Sequence, residues 1–236
     1  MSGQTKKRSM DMLHGSIWNK LILYALPVAA TGILEQLFNA SDVAIVGNFT
    51  GEMRTVAVAA VGANSPIVGL LLNLFIGIAL GANVVIAHAV GQGDEKTIHH
   101  AVHTAVIMAV AGGALVAVIG ELGVGSLLRM LNVPEDVFPQ ALLYIRIYLL
   151  GLPVILLYNF EAAIFRSVGE TRMPLEALAI SGVLNVCLNL FFVVVLHMTV
   201  NGVAIATVLS NWLSCCGRIR PSASGWTSFV STRMCL

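Results

Sequence analysis

The stretch VAVAAVGANSPIVGLLLNLFIGIALGANVVIAHAV, from Val56 to Val90, contains no Asp, Glu, Lys or Arg. A helix needs only about 20 apolar residues to cross roughly 30 Å of hydrocarbon. This run is well beyond that length, and its reading decides the topology. A break in the Gly77/Gly81 region makes two crossings; an unbroken run makes one long, tilted helix that emerges from the bilayer. The distribution of charge favours one helix, as follows.

Five other apolar stretches flank this one: Ile17–Val46 before it, and Ala101–Ile119, Ala141–Phe160, Leu175–Leu196 and Val203–Leu213 after it. Six crossings with the N-terminus inside place Lys6, Lys7, Arg8, Lys20, Lys96, Arg166, Arg172, Arg218, Arg220 and Arg233 on one side, out of 13 Lys and Arg in all. Arg54 and Arg129 fall on the other side, and Arg146 lies within the fourth span, where it can snorkel toward the interface. Such asymmetry is the positive-inside pattern. A seventh crossing inverts everything after it and destroys the pattern. The expected fold is therefore all-α: a polytopic membrane bundle of six transmembrane helices.

Composition agrees. Of 236 residues, 57% are hydrophobic and 11% charged, with a mean hydropathy of +0.87. Soluble domains carry about 25% charged residues, so most of this surface meets lipid. A net charge of +1 argues against a nucleic-acid binder, which needs a basic stripe. Residues 1–15 read as a polar cytoplasmic tail without the pattern of a cleaved signal, 16–213 as the membrane lobe, and 214–236 as a divergent, loosely ordered tail. The segment Glu121–Asp136 reads as an external connector whose SLLRML part forms a short interfacial helix. Gly91–Lys96 reads as a tight internal loop.

Chemistry concentrates in two spans. In the first, Glu35, Asn39 and Asp42 follow at i, i+4 and i+7, along one helix face. A carboxylate at the bilayer centre costs on the order of 3 kcal/mol on insertion scales. Such a group needs water, a cation or a partner, which is what cation coupling requires. Asp42 is also only a few residues from the external loop at Gly47–Thr55, where water can hydrate it. In the fifth span, Asn185 and Asn189 are again one turn apart. Paired amides bind a cation through oxygen or hydrogen-bond a neighbouring helix. Pro27, Pro66 and Pro153 interrupt three spans; each removes a backbone donor and favours a bend. His99, His100 and His103 cluster where the third span begins, with His99 and His103 one turn apart. With no third ligand fixed by the sequence, no metal site is expected there, nor at the four cysteines, which lack zinc-ligand spacing.

Several stretches resemble the MATE family of multidrug and toxic-compound extrusion transporters. They are LPVAATGILEQLFNASDVAIVGNFTG, GIALGANVVIAHAVGQGDEKTIHHAV, and YIRIYLLGLPVILLYNFEAAIFRSVGETRMPLEALAISGVLNVCLNLFF followed by NGVAIATVLSNW. The resemblance implies a V-shaped transporter of two six-helix lobes around a central cavity. It would export organic cations and other amphipathic compounds in exchange for protons or sodium ions, with no further cofactor. The family's first-helix acid falls on Asp42, and its paired polar positions in the fifth helix fall on Asn185 and Asn189. Some members carry an aspartate where Asn189 stands, so the coupling ion is left open. Glu35 and Asn39 join these as cation-coupling candidates; Gln36, Phe38 and Asn159 are the candidate cavity-lining residues. The implied partners are small amphipathic or cationic substrates, the lipid bilayer, and a second six-helix lobe or a second copy of this chain. The implied location is the inner (plasma) membrane, with the N-terminus cytoplasmic. Members run to about twice this length, so a non-functional fragment of a broken exporter gene is an alternative. A flippase for lipid-linked sugars is another, although inward acids and scarce inward Lys or Arg favour cationic cargo. No Ser-His-Asp set or HExxH motif points to an enzyme.

Overall fold

The computed structural model describes residues 17–219, and the side chains of 21–215. Within them the chain forms six helices, α1 (Ile17–Phe49), α2 (Arg54–Gln92), α3 (Glu95–Met130), α4 (Phe138–Ser167), α5 (Arg172–Leu190) and α6 (Val200–Ile219). There is no strand among the described residues. The first five are long and apolar enough to cross a membrane, and the apolar part of α6 described here is shorter, Val200–Cys215. The result is an all-helical, multi-pass membrane bundle.

The Val56–Val90 run lies in one unbroken helix of 39 residues. At 1.5 Å per residue this is about 58 Å, longer than a bilayer with its headgroups. It ends at Gly93, whose φ of +70° suits a residue without Cβ, and its last carbonyls accept from the Gly93 and Asp94 amides. Asp94 then caps α3 by accepting from the Thr97 amide at 3.2 Å and from the Thr97 hydroxyl. The expected tight loop is therefore a C-cap joined directly to an N-cap.

The connector expected at Glu121–Asp136 is different. Helix α3 continues through SLLRM to Met130, and the turn begins only at Leu131, with Asn132 at φ +52° before Pro134. No separate interfacial helix forms. Glu121–Met130 contains no proline, and Val124 and Leu128 are buried in the core, so the helix gains packing by continuing. Continuation also places Glu121 opposite α4, where its Oε2 lies 3.4 Å from Arg146 Nε. Arg146 thus pairs across helices instead of only reaching for the interface. Helix α6 likewise runs through Ile219, past the boundary expected at 213. The remainder of the tail, and residues 1–15, lie outside the described residues.

Helix α4 is the hub, packed against α2, α3 and α6, while α1 packs chiefly on α5 and α5 on α6. Lipid tails are as apolar as leucine, so close approach and hydrogen bonds hold membrane helices together. Both devices are present. A Cβ on Gly113 would lie 2.7 Å from the Pro153 Cα, and one on Gly120 2.8 Å from Leu149. Ala57, Ala60, Ala105, Ala109 and Ala141 are all buried at the helix contacts. Asn64, fully buried, donates to the Ala141 carbonyl at 2.9 Å and ties α2 to α4. The outer surface is apolar: Leu122 is 85% exposed, Leu70 72% and Leu150 70%. Helices α1, α2 and α4 run through Pro27, Pro66 and Pro153 without a break in the helix.

Candidate functional site

A cleft of about 170 Å³ opens between α1, α2, α4, α5 and α6. Helix α1 contributes Glu35, Phe38, Asn39 and Asp42, the i, i+3, i+4, i+7 stripe of one face. Helix α5 contributes Leu178, Ser181, Gly182 and Asn185, and α6 contributes Thr207, Ser210 and Asn211. Tyr148, Ile155, Tyr158 and Asn159 of α4 complete the wall, with Leu72 and Ile76 of α2. The small residue Gly182 permits the contact of α1 with α5: the Phe38 ring fills the place where a side chain would start.

A chain of hydrogen bonds crosses three helices at the cleft. The Thr207 hydroxyl donates to the Val203 carbonyl at 3.0 Å and receives the Asn185 amide at 3.3 Å. Asn185 Oδ1 accepts from Asn189 Nδ2 at 3.1 Å. The same Nδ2 donates to Asp42 Oδ1 at 2.6 Å, a charge-assisted contact linking residues 147 apart in sequence. Asn189 is fully buried behind the cleft, and its Oδ1 has no hydrogen-bond partner among the described residues. Buried oxygens normally have a partner, so this one is an acceptor in reserve beside a half-buried carboxylate.

The candidates from the sequence divide accordingly. Asp42, Asn185 and Asn189 form one network. Glu35 and Asn39 line the same cleft but are exposed on it. Phe38 and Asn159 line it too, Asn159 with its amide donating to the Ile155 carbonyl at 2.8 Å. Gln36 does not: one residue from Glu35, it is turned about 100° around the helix and is exposed away from the cleft lining. The sequence reading missed Thr207, Ser210, Asn211, Ser181 and Tyr148. The i, i+3, i+4 spacing of Thr207, Ser210 and Asn211 in an otherwise apolar helix was the available signal. Directly after Asn189's turn, Phe191–Val195 adopts a π-helical turn, closed by the Leu196 amide donating to the Phe191 carbonyl at 3.2 Å. Such turns recur at functional sites. His99 and His103 stand apart from the cleft, at the exposed start of α3.

Two carboxylates, several amide and hydroxyl oxygens and two tyrosines face this cleft, with no Lys or Arg among its lining residues. The fold and cleft define a multi-pass helical membrane protein with a largely apolar pocket that holds two carboxylates and no Lys or Arg. The chain belongs to the MatE family, whose model matches residues 27–191. It is 27% identical over 211 residues to the probable multidrug resistance protein YpnP of Bacillus subtilis, covering 88% of this chain and 46% of that protein. It is 28% identical over 210 residues to the probable multidrug resistance protein YoeA of the same organism, covering 87% and 44%. A solved MOP superfamily transporter from Pyrococcus furiosus superposes with a TM-score of 0.82 at 22% identity, covering 92% of this chain and 47% of that one. The chain thus spans a little under half the length of these relatives.

Proposed function

We propose that this chain forms one lobe of a multidrug efflux antiporter that exports organic cations or amphipathic compounds in exchange for protons or sodium ions. One observation carries the reading: the Asp42 carboxylate, set in a cleft without basic residues, is bridged from α1 to α5 by the buried Asn189 amide. The substrates and the coupling ion are those the family likeness suggests, and the cleft suits them. Its two acids, Glu35 and Asp42, attract a cation, and no Lys or Arg in the lining opposes one.

The exchange follows from hydrogen-bond polarity. Ionised Asp42 accepts from Asn189. A proton on the carboxyl turns it into a donor, and a sodium ion on it demands further oxygens. Either occupant calls for the acceptor side of Asn189, which is the oxygen now unpartnered. Occupancy at Asp42 therefore alters the contact of α1 with α5, and a drug cation competes for the same carboxylate. A ligand shifts such an equilibrium only by its differential affinity for the two states. The distribution of Lys and Arg supports a cytoplasmic position for the N-terminal end and the α2–α3 turn.

The test is ethidium efflux from cells expressing this chain, alone and with a complete second lobe supplied. Efflux that depends on the chain and disappears in Asp42→Asn supports the reading. Efflux unchanged in Asp42→Asn refutes the role given to this carboxylate.

A further inference from the structure

At the exposed start of α3, away from the cleft, His99 and His103 face one another across one helical turn. Their Nε2 atoms are 3.1 Å apart and their ring centroids 4.2 Å apart. Two neutral imidazoles come this close only by sharing one N–H between a donor and an acceptor nitrogen. A metal ion can replace that shared proton. With metal–nitrogen bonds of about 2.0–2.1 Å, two nitrogens on one ion sit about 2.9 Å apart at a right angle and about 3.3 Å apart at a tetrahedral angle. The observed 3.1 Å lies between these, so the two nitrogens already stand at a chelating separation, and rotation of the exposed rings aims them at one ion.

We infer that His99 and His103 form a two-histidine chelate for borderline divalent transition metals. Helical i, i+4 histidines on one face are a known metal-binding spacing. The backbone beneath them is fixed: Asp94 caps the helix, and Ile98 and Ala105 are buried at 2% and 1% exposure. Both rings are exposed, so an ion reaches them from water without any opening of the bundle. Among the described residues no third His, Cys, Asp or Glu joins them in a ligand group, so water or a solute ligand completes the shell. His100 is next in sequence, but its ring stands edge-on to His99 at 6.1 Å between centroids. Imidazole donors with open positions rank copper(II) above nickel(II) and zinc(II). The ion would staple the first exposed turns of α3 beside the α2–α3 turn.

The experiment uses the full chain in detergent, without an affinity tag, titrated with copper(II) chloride and read by electron paramagnetic resonance and calorimetry. The expected result is one copper per chain with two imidazole nitrogens, reversed by EDTA. Binding should weaken at least tenfold in His99→Ala and in His103→Ala, and stay unchanged in His88→Ala and His100→Ala. Copper affinity and spectrum unaltered in both His99→Ala and His103→Ala, or no stoichiometric binding in the parent chain, overturns the inference. All four positions are exposed, so loss of folding does not mask the outcome, and circular dichroism verifies this in each variant.

Discussion

The bridge from Asn189 to Asp42 is the contact on which the site rests, and its strength can be isolated. Asn189 Nδ2 makes two contacts, at 2.6 Å to Asp42 and 3.1 Å to Asn185. Hydrogen bonds to charged groups contribute about 1.5–3 kcal/mol in soluble proteins, and neutral ones about 1 kcal/mol. Between membrane helices the average is about 0.6 and the maximum about 1.7 kcal/mol. The short, charge-assisted bond belongs at the upper end of the membrane range, so a coupling of about 1–2 kcal/mol between positions 42 and 189 is expected. Asn189→Ala alone also loses the Asn185 bond and leaves a cavity, so its total cost is larger, about 2–3 kcal/mol. The cycle Asp42→Ala, Asn189→Ala and the double variant cancels the cavity and the Asn185 term. Each variant is unfolded by increasing SDS in mixed micelles and followed by circular dichroism. A coupling under about 0.5 kcal/mol, the scatter of non-interacting sites, refutes the claim that this bond joins α1 to α5.

Other outcomes follow from the same geometry. Gly182→Ala places a methyl group where the Phe38 ring lies, so the ring must swing into the cleft or α1 must leave α5. Overpacking of this kind costs about 1–3 kcal/mol. A lowered thermal midpoint together with weakened binding of ethidium, measured by fluorescence polarisation, is the expected result; parental values for both contradict the packing described. At the α3 cap, hydrogen bonds from the Thr97 hydroxyl, and then from its amide, hold the Asp94 carboxyl below the ordinary carboxylate range. The cap's contribution is therefore present above that ordinary range and is lost as pH falls through the depressed value. Amide exchange at Thr97 and Ile98, compared at matched pH, should be faster in Asp94→Ala than in the parent near neutrality and equal to it in acid. A difference that persists in acid is the contrary result.

The helices were legible because hydrophobic run length is a local property, and lipid leaves the backbone few alternatives. The single long helix over Val56–Val90 also followed from charge placement, which is a global count. The end of α3 was not legible in the same way. Glu121 and Arg129 look like connector residues in a hydropathy profile, yet Glu121 is held at 3.4 Å by an arginine on another helix. The site shows the same division. The spacing of Glu35, Asn39 and Asp42 fixes a common face, so their shared cleft could be read from the sequence. The register of α1 against α5, which brings residue 42 to residue 189, depends on packing such as Phe38 on Gly182. Gln36 lies outside this cleft's lining because adjacency in sequence is not adjacency on a helix. Thr207 was overlooked because its spacing with Ser210 and Asn211 went unused, and because a hydroxyl in an apolar span normally satisfies itself on its own backbone. It does so here, at 3.0 Å to Val203, while also accepting from Asn185.

The proposed function makes Asp42 the place where a small cation and an organic cation exclude one another, and release of the one on binding of the other is measurable. The purified chain in weakly buffered detergent, loaded with radioactive sodium and containing a pH indicator, is titrated with tetraphenylphosphonium. The expected result is release of one proton or sodium ion per organic cation bound in the parent, and none in Asp42→Asn. Equal release from Asp42→Asn would contradict the assignment outright.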